Sequence, residues 1–266
     1  MPHSSIQVID RMVALLDAVA SQPGSVMLKD LAKITQLHPS TTFRILSALC
    51  EHGLIERTPN GQYQLGVKLL QLSSRVQGRL DLRREAQPIL EWLRDEINET
   101  VNLIVREGDE VVYLDRYPPS RMMRVEQTIG GHIPLHVTAV GKLFLAECGL
   151  SACLDYAQRT GLAPRTPHSI TNPDTLWRTV EQALQQGYAL DDQEAELGVG
   201  CIGTPVRDCN GRMMAGISVS APIERRNTQW IPLIKQAGAT LSARLGYSTS
   251  EQPAHPTVPT QPTQDL

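Results

Sequence analysis

Apolar side chains at Ile6, Ile9, Val13, Leu16 and Val19 recur at steps of three or four, which predicts a helix over residues 6–21 with one greasy face. Pro23-Gly24 ends it. Leu28, Leu31 and Ile34 share the face of a second, short helix over 28–35, and a third begins near Pro39, a residue favoured in a helix's first turn. Only about residues 36–38 remain for the turn between them. Gly53 supplies a stop, after which 55–57 and 62–65 read as two short strands around Pro59-Asn60-Gly61, a hairpin or wing. Residues 65–78 return to helical spacing through Leu69, Leu72 and Val76.

Beyond that point a helix fits 83–98 through Ile89, Leu93 and Ile97, and the period then changes to that of strands at 101–106 and 111–116, joined by a turn at 107–110. Further strands are expected at 124–128, 201–207 and 214–220, and helices at 140–148, 151–159, 174–186 and 230–246. Such an alternation is an α+β domain with mainly antiparallel pairing. The last stretch, 248–266, is built from Thr, Pro, Gln and Ser with little to bury, so it is expected to stay disordered. The pattern divides the chain into a winged helix-turn-helix at 1–66, a linker helix at 67–82, a larger domain at 83–247 and the tail.

Composition agrees with two cores of unequal size: 266 residues, 41% hydrophobic, 20% charged, mean hydropathy −0.20. No apolar run approaches the roughly 18 residues of a membrane span, and the N-terminus lacks the basic and apolar segments of an export signal, so a cytoplasmic location is expected. Cys50, Cys148, Cys153, Cys201 and Cys209 form an odd set without a C-x-x-C pair, which argues against a disulfide framework or a structural zinc. Charge is uneven. Residues 1–80 hold eight Lys/Arg against five Asp/Glu, net +3; with −3 for the whole chain, the remainder carries −6. A basic N-terminal module facing phosphates fits that asymmetry.

The third helix has the division a recognition helix needs. At about 100° per residue, Phe43, Ile45, Leu46, Leu49 and Cys50 fall on one side, and Ser40, Thr41, Arg44 and Ser47 on the other. The candidate DNA contacts are therefore Ser40, Thr41, Thr42, Arg44 and Ser47, with Arg57, Asn60 and Gln62 of the hairpin reaching the minor groove or backbone. Arg44 leads as the base-edge reader. Any amphipathic surface helix has two such faces; the order helix, short turn, polar helix, Gly-stopped hairpin is what singles this one out.

The ordered motifs resemble the IclR family of bacterial transcription regulators over residues 6–246. The N-terminal likeness runs through Leu31-Ala32, Pro39-Ser40-Thr41-Thr42, Arg44, Leu46, Leu49, Gly53-Leu54-Ile55 and Tyr63-Gln64-Leu65-Gly66. The C-terminal likeness runs through residues 129–136, Ala139, Gly141-Lys142, Leu145-Ala146, residues 187–194, Leu197-Gly198, Cys201-Ile202 and Pro205-Val206. The resemblance implies a GAF-like effector domain with a curved antiparallel sheet, whose pocket lies between that sheet and residues 130–142. It also implies a homodimer, often a dimer of dimers on operator DNA. Carried over position by position, the effector contacts are Met122, Val125, Ile133, Ala139, Val140, Asp191, Cys201, Ser218 and Ser220.

That set is chemically coherent. Ser218 and Ser220 are two apart on a strand and so point to one face, while amides of Ala139 and Val140 opening a helix can cradle an anion. A carboxylate effector is expected. Where small-residue members of the family have Gly and Ala, this chain has Ala139 and Val140, which should reshape the anion end. Met27 stands where the family often puts a Ser or Thr cap, a change worth about 1 kcal/mol locally.

Asp191, Asp192 and Glu194 have no His nearby in sequence and read as loop and pocket acids rather than a metal site. Cys201 and His136 sit in no nucleophile motif, so neither catalysis nor a cofactor is expected. His136 reads as a residue that fixes its loop, and Trp177 and Trp230 as helix packing. The resulting reading is a DNA-binding regulator, a repressor in preference to an activator, without membrane association. Two alternatives stay open: a small-acid enzyme with an accessory winged helix, and a winged-helix interaction module that does not bind DNA. Ligand binding is expected to act on the paired winged helices through residues 65–78.

Overall fold

The computed structural model describes residues 6–77 and 81–248, the side chains of 73–77 excepted. Two compact units divide near Leu80. The tail expected at 248–266 lies, from 249 onward, outside the described residues.

The smaller unit comprises α1 (Gln7–Ala20), α2 (Leu28–Ile34), α3 (Pro39–Glu51), a hairpin of β1 (Ile55–Arg57) and β2 (Tyr63–Leu65), and α4 (Lys68–Gln77). Leu15, Val19, Leu31, Leu46, Leu49 and Ile55 form its core, each burying apolar surface worth about 1.5–3 kcal/mol. Gly66 crosses so close to Gly53 that a side chain there would collide with the Gly53 carbonyl, which ties the wing to the end of α3.

The structure differs from expectation at three points in this unit. The stripe predicted to be the core face of α1 is largely exposed: Ile6, Ile9 and Val13 face solvent, and the helix docks instead through Leu15, Ala18 and Val19. Its sequence carries two apolar stripes, and its buried residues all lie in the C-terminal half. Phe43 is likewise 48% exposed; the buried stripe of α3 is Thr42, Ile45, Leu46 and Leu49. Met27 caps α2 with no side-chain hydrogen bond, as its chemistry requires. The helix expected from residue 65 begins at Lys68, because Leu65 is still in β2.

The larger unit is a six-stranded sheet with every pair antiparallel, in the order β5-β4-β3-β8-β7-β6. Its strands are β3 (Thr100–Glu107), β4 (Glu110–Tyr117), β5 (His132–Pro134), β6 (Ala189–Asp192), β7 (Val199–Arg207) and β8 (Met213–Pro222). Against them lie α5 (Leu82–Ile97), α6 (Ala139–Thr160, interrupted at Gly149), α7 (Pro173–Gln186) and α8 (Ile231–Arg244). The helices α5 and α8 cover one face, where Gly238 of α8 meets Thr204. The other face receives α6, whose Ala139 and Val140 press onto Gly203 and Gly216.

The strand expected at 124–128 is absent. Side chains rather than a ladder hold that segment: Thr100 Oγ1 donates to the Val125 carbonyl at 2.6 Å and Arg116 to the Gln127 carbonyl. The short strands β5 and β6, at the two sheet edges, were not anticipated.

Candidate DNA-binding surface and effector site

In the smaller unit, α3 starts at Pro39 with His38 as its cap. The His38 ring accepts from the Ser40 amide at 3.4 Å and meets the Ser40 hydroxyl at 2.8 Å. Ser40 and Arg44 are exposed, while Thr41 and Ser47 are half-buried. Arg44 lines a groove of about 300 Å³ with Arg11, Thr41 and Ala48, so two guanidinium-bearing residues flank one cleft between α1 and α3. Thr42 does not belong to this surface: it is fully buried and its hydroxyl donates to the His38 carbonyl at 3.2 Å, because position 42 falls on the stripe of Ile45, Leu46 and Leu49.

In the wing, Asn60 is exposed at the turn and Arg57 stacks its guanidinium over the Tyr63 ring, 5.9 Å from its centroid. Gln62 is otherwise engaged, its side-chain Oε1 accepting from the Ser25 hydroxyl at 2.7 Å.

In the larger unit, strand register gathers most of the other predicted set. Asp191 pairs with Cys201, Cys201 with Ser220, and Ser220 with Thr100; one step along, Gly203 pairs with Ser218 and Ser218 with Asn102. Because side chains two apart share a face, Asp191, Cys201, Ser218, Ser220, Thr100 and Asn102 make one buried polar strip on the face that receives α6. Asn102 donates both amide hydrogens across β8, to Ser218 Oγ at 3.2 Å and Ser220 Oγ at 3.1 Å. Ser220 Oγ meets Cys201 Sγ at 3.2 Å.

The start of α6 stands over this strip. Thr138 Oγ1 accepts from the Gly141 amide at 3.0 Å, leaving Ala139 and Val140 as first-turn amides that no helical carbonyl can serve. Val140 N lies 3.2 Å from where a Cβ on Gly203 would stand, and its Cγ2 3.0 Å from that point. The Val140 isopropyl group thus fills the space above two glycines, Gly203 and Gly216. Aligned amides and helix dipole make this end favourable for an anion.

Beside the strip, Lys142 and Glu194 form an ion pair that is almost wholly buried, and Lys142 Nζ also donates to the Leu190 carbonyl at 2.6 Å. Asp191 accepts from the amides of Glu194 (2.8 Å) and Ala195 (3.4 Å). Burial pushes the Asp191 carboxyl up to about 6, with Lys142 and the amides pulling the other way. These acids are committed to amides and to Lys142. Burial and the neighbouring Asp191 also push the Cys201 thiol up, which keeps it neutral and a poor nucleophile. Both His136 nitrogens are engaged, one with Tyr156 Oη at 2.8 Å and the other with the Ala163 carbonyl at 3.2 Å, so His136 secures the approach to α6.

Val125 and Ile133 border the same side, Ile133 packing against the cluster of Tyr113, Val140 and Phe144. Met122 does not join them: it is 99% exposed, on irregular backbone between β4 and β5. Asn102 and Thr100 were missed. The signal was available, since polar Thr100 and Asn102 alternate with apolar Val101 and Leu103, as Ser218 and Ser220 alternate with Ile217 and Val219.

Comparison with known proteins places these features. Residues 74–243 match the family described as bacterial transcriptional regulator IclR C-terminal, and residues 8–59 match the IclR helix-turn-helix domain. The HTH-type transcriptional regulator XynR of Escherichia coli is 33% identical over 250 residues, spanning 91% of this chain and 98% of that protein. The transcriptional repressor IclR of the same organism is 31% identical, spanning 91% and 90%. Among solved structures, the repressor BlcR of Agobacterium tumefaciens superposes with a TM-score of 0.74 at 26% identity, covering 91% of this chain and 98% of that one.

Proposed function

The chain belongs to the IclR family of bacterial transcriptional regulators, and on that premise we propose that it is a repressor whose grip on operator DNA is set by a small carboxylic acid. The observation that carries the effector half is the buried polar strip of Asp191, Cys201, Ser218 and Ser220 beneath the first-turn amides of α6. Hydroxyls and a helix N-terminus on an otherwise apolar face are what a partly apolar acid requires. Repression is supported by relatives that carry that word in their names. DNA is held by Ser40, Thr41, Arg44 and Ser47 of α3, with Arg57 and Asn60 of the wing on the phosphates or minor groove.

Self-association pairs two such winged helices, and α4 connects them to the effector unit. An acid regulates only if it binds the DNA-competent and incompetent states unequally. The test is a titration of the purified protein against DNA upstream of its own and neighbouring genes, at several salt concentrations, with and without a panel of small acids. Site-specific affinity that falls steeply with salt and is weakened by one acid supports the reading. Affinity equal to that for unrelated DNA, or indifference to every acid, counts against it.

A further inference from the structure

We propose that Asn102 sets effector specificity, selecting acids that carry a hydrogen-bond donor such as a hydroxyl in addition to the carboxylate; this rests on the effector reading above. Asn102 is fully buried on the same face as Ser218 and Ser220. Its two amide hydrogens are spent on those serine oxygens, at 3.2 and 3.1 Å. Its Oδ1 has no hydrogen-bond partner among the described residues. The neighbouring hydroxyl that might have served it, on Thr100, donates to the Val125 carbonyl instead. A buried amide oxygen without a donor is unfavourable, and it is satisfied by a ligand that brings one.

The rest of the strip fixes where that donor must lie. Each serine oxygen accepts from Asn102, so its own hydrogen is directed elsewhere, Ser220 towards Cys201. The strip therefore offers donors at Ser218 and at the α6 amides; of its acceptors, the Asp191 carboxylate already takes amide hydrogens from Glu194 and Ala195, whereas Asn102 Oδ1 has no donor among the described residues. The α6 start stands over Gly203, which is two strands from Asn102 in register. At about 4.8 Å per strand, carboxylate and donor group are separated by no more than roughly 10 Å. A hydroxy acid of modest size fits; an acid whose far end is purely apolar leaves Oδ1 buried and unpaired.

The experiment uses the full-length protein and matched acids: 4-hydroxybenzoate with benzoate, 3-hydroxybutyrate with butyrate, malate with succinate. Dissociation constants are measured for the wild type and for Asn102→Ala, with thermal midpoint and ligand-free DNA binding as controls of folding. The hydroxylated member of at least one pair should bind the wild type about tenfold or more tightly than its partner. In Asn102→Ala the two members should come within about twofold of each other, because the acceptor is gone. If acids bind but neither pair member is preferred, or if Asn102→Ala keeps the preference, Asn102 is not the selector and the effector reading stands. If no acid binds the wild type, both fall. If Asn102→Ala does not fold, the near-isosteric Asn102→Leu, which also lacks the acceptor, takes its place, and a wild type that prefers no hydroxylated acid overturns the proposal without any variant.

Discussion

Lys142 and Glu194 pair inside the larger unit, 1% and 8% exposed at their side chains, joining the first turn of α6 to the turn after β6. Glu194 Oε2 has no hydrogen-bond partner among the described residues, and the ion pair with Lys142 offsets this carboxylate's burial. Removing one member of a buried pair costs more than the pair itself is worth. Lys142→Ala should destabilise the unit by about 3–5 kcal/mol, seen as a lower urea midpoint. An unchanged midpoint would show that the pair does not support the fold.

Arg44 occupies the exposed face of α3 and lines a groove with Arg11. Arg44→Ala should weaken operator binding by about 1–3 kcal/mol and relax preference at one base position if it reads a base edge. Loss that is uniform across sequences, with a shallower salt dependence, would make it a phosphate contact instead. Thr42→Ala should affect stability and leave operator preference as it was, since that hydroxyl caps the His38 carbonyl within the fold.

Gly216 and Val140 are complementary by necessity, as a Cβ on Gly216 would overlap the Val140 methyls. Gly216→Ala should cost about 1–3 kcal/mol by overpacking. Adding Val140→Ala to it should recover part of that loss, a coupling that a double-mutant cycle on thermal or urea unfolding measures. Independent effects would mean that the sheet and α6 can separate at that point.

The raised Asp191 carboxyl links stability and binding to pH. With a folded value of about 6 against an unfolded value near 3.9, the folded chain holds the extra proton between those values. Stability from this group is therefore greatest in acid and falls as pH rises from about 4 to 6. An anionic effector should likewise bind more tightly at pH 5.5 than at 7.5, as the neighbouring carboxylate becomes neutral. Asp191→Asn should flatten that dependence in a calorimetric titration; persistence of the slope in the variant would assign it to another group.

Much of this was legible in the chain. Spacing of apolar residues located α2, α3, α5, α7 and α8 to within a few positions, since a 3.6-residue period survives any tertiary context that buries one face. It failed at 124–128, where apolar alternation is weak and two side chains claim backbone carbonyls. The paired serines of β8 were legible as one face of a strand. Asn102 carried the same alternation on β3 and was passed over, because a polar residue within a strand reads the same whether it faces solvent or a buried strip.

By itself the sequence determined the order of elements, the winged helix followed by an antiparallel α+β unit, the exposed polar residues of α3 and the family. Those properties depend on local periodicity and on motifs contiguous in the chain. Only the tertiary structure decided which stripe of α1 and α3 is buried, that Thr42 turns inward, that Met122 stands in solvent, and that Asn102 meets serines 116 and 118 positions away. Each of these depends on which surfaces meet across long loops. A helix or strand carries its periodicity alone, but the partner that selects one of its faces is elsewhere in the chain.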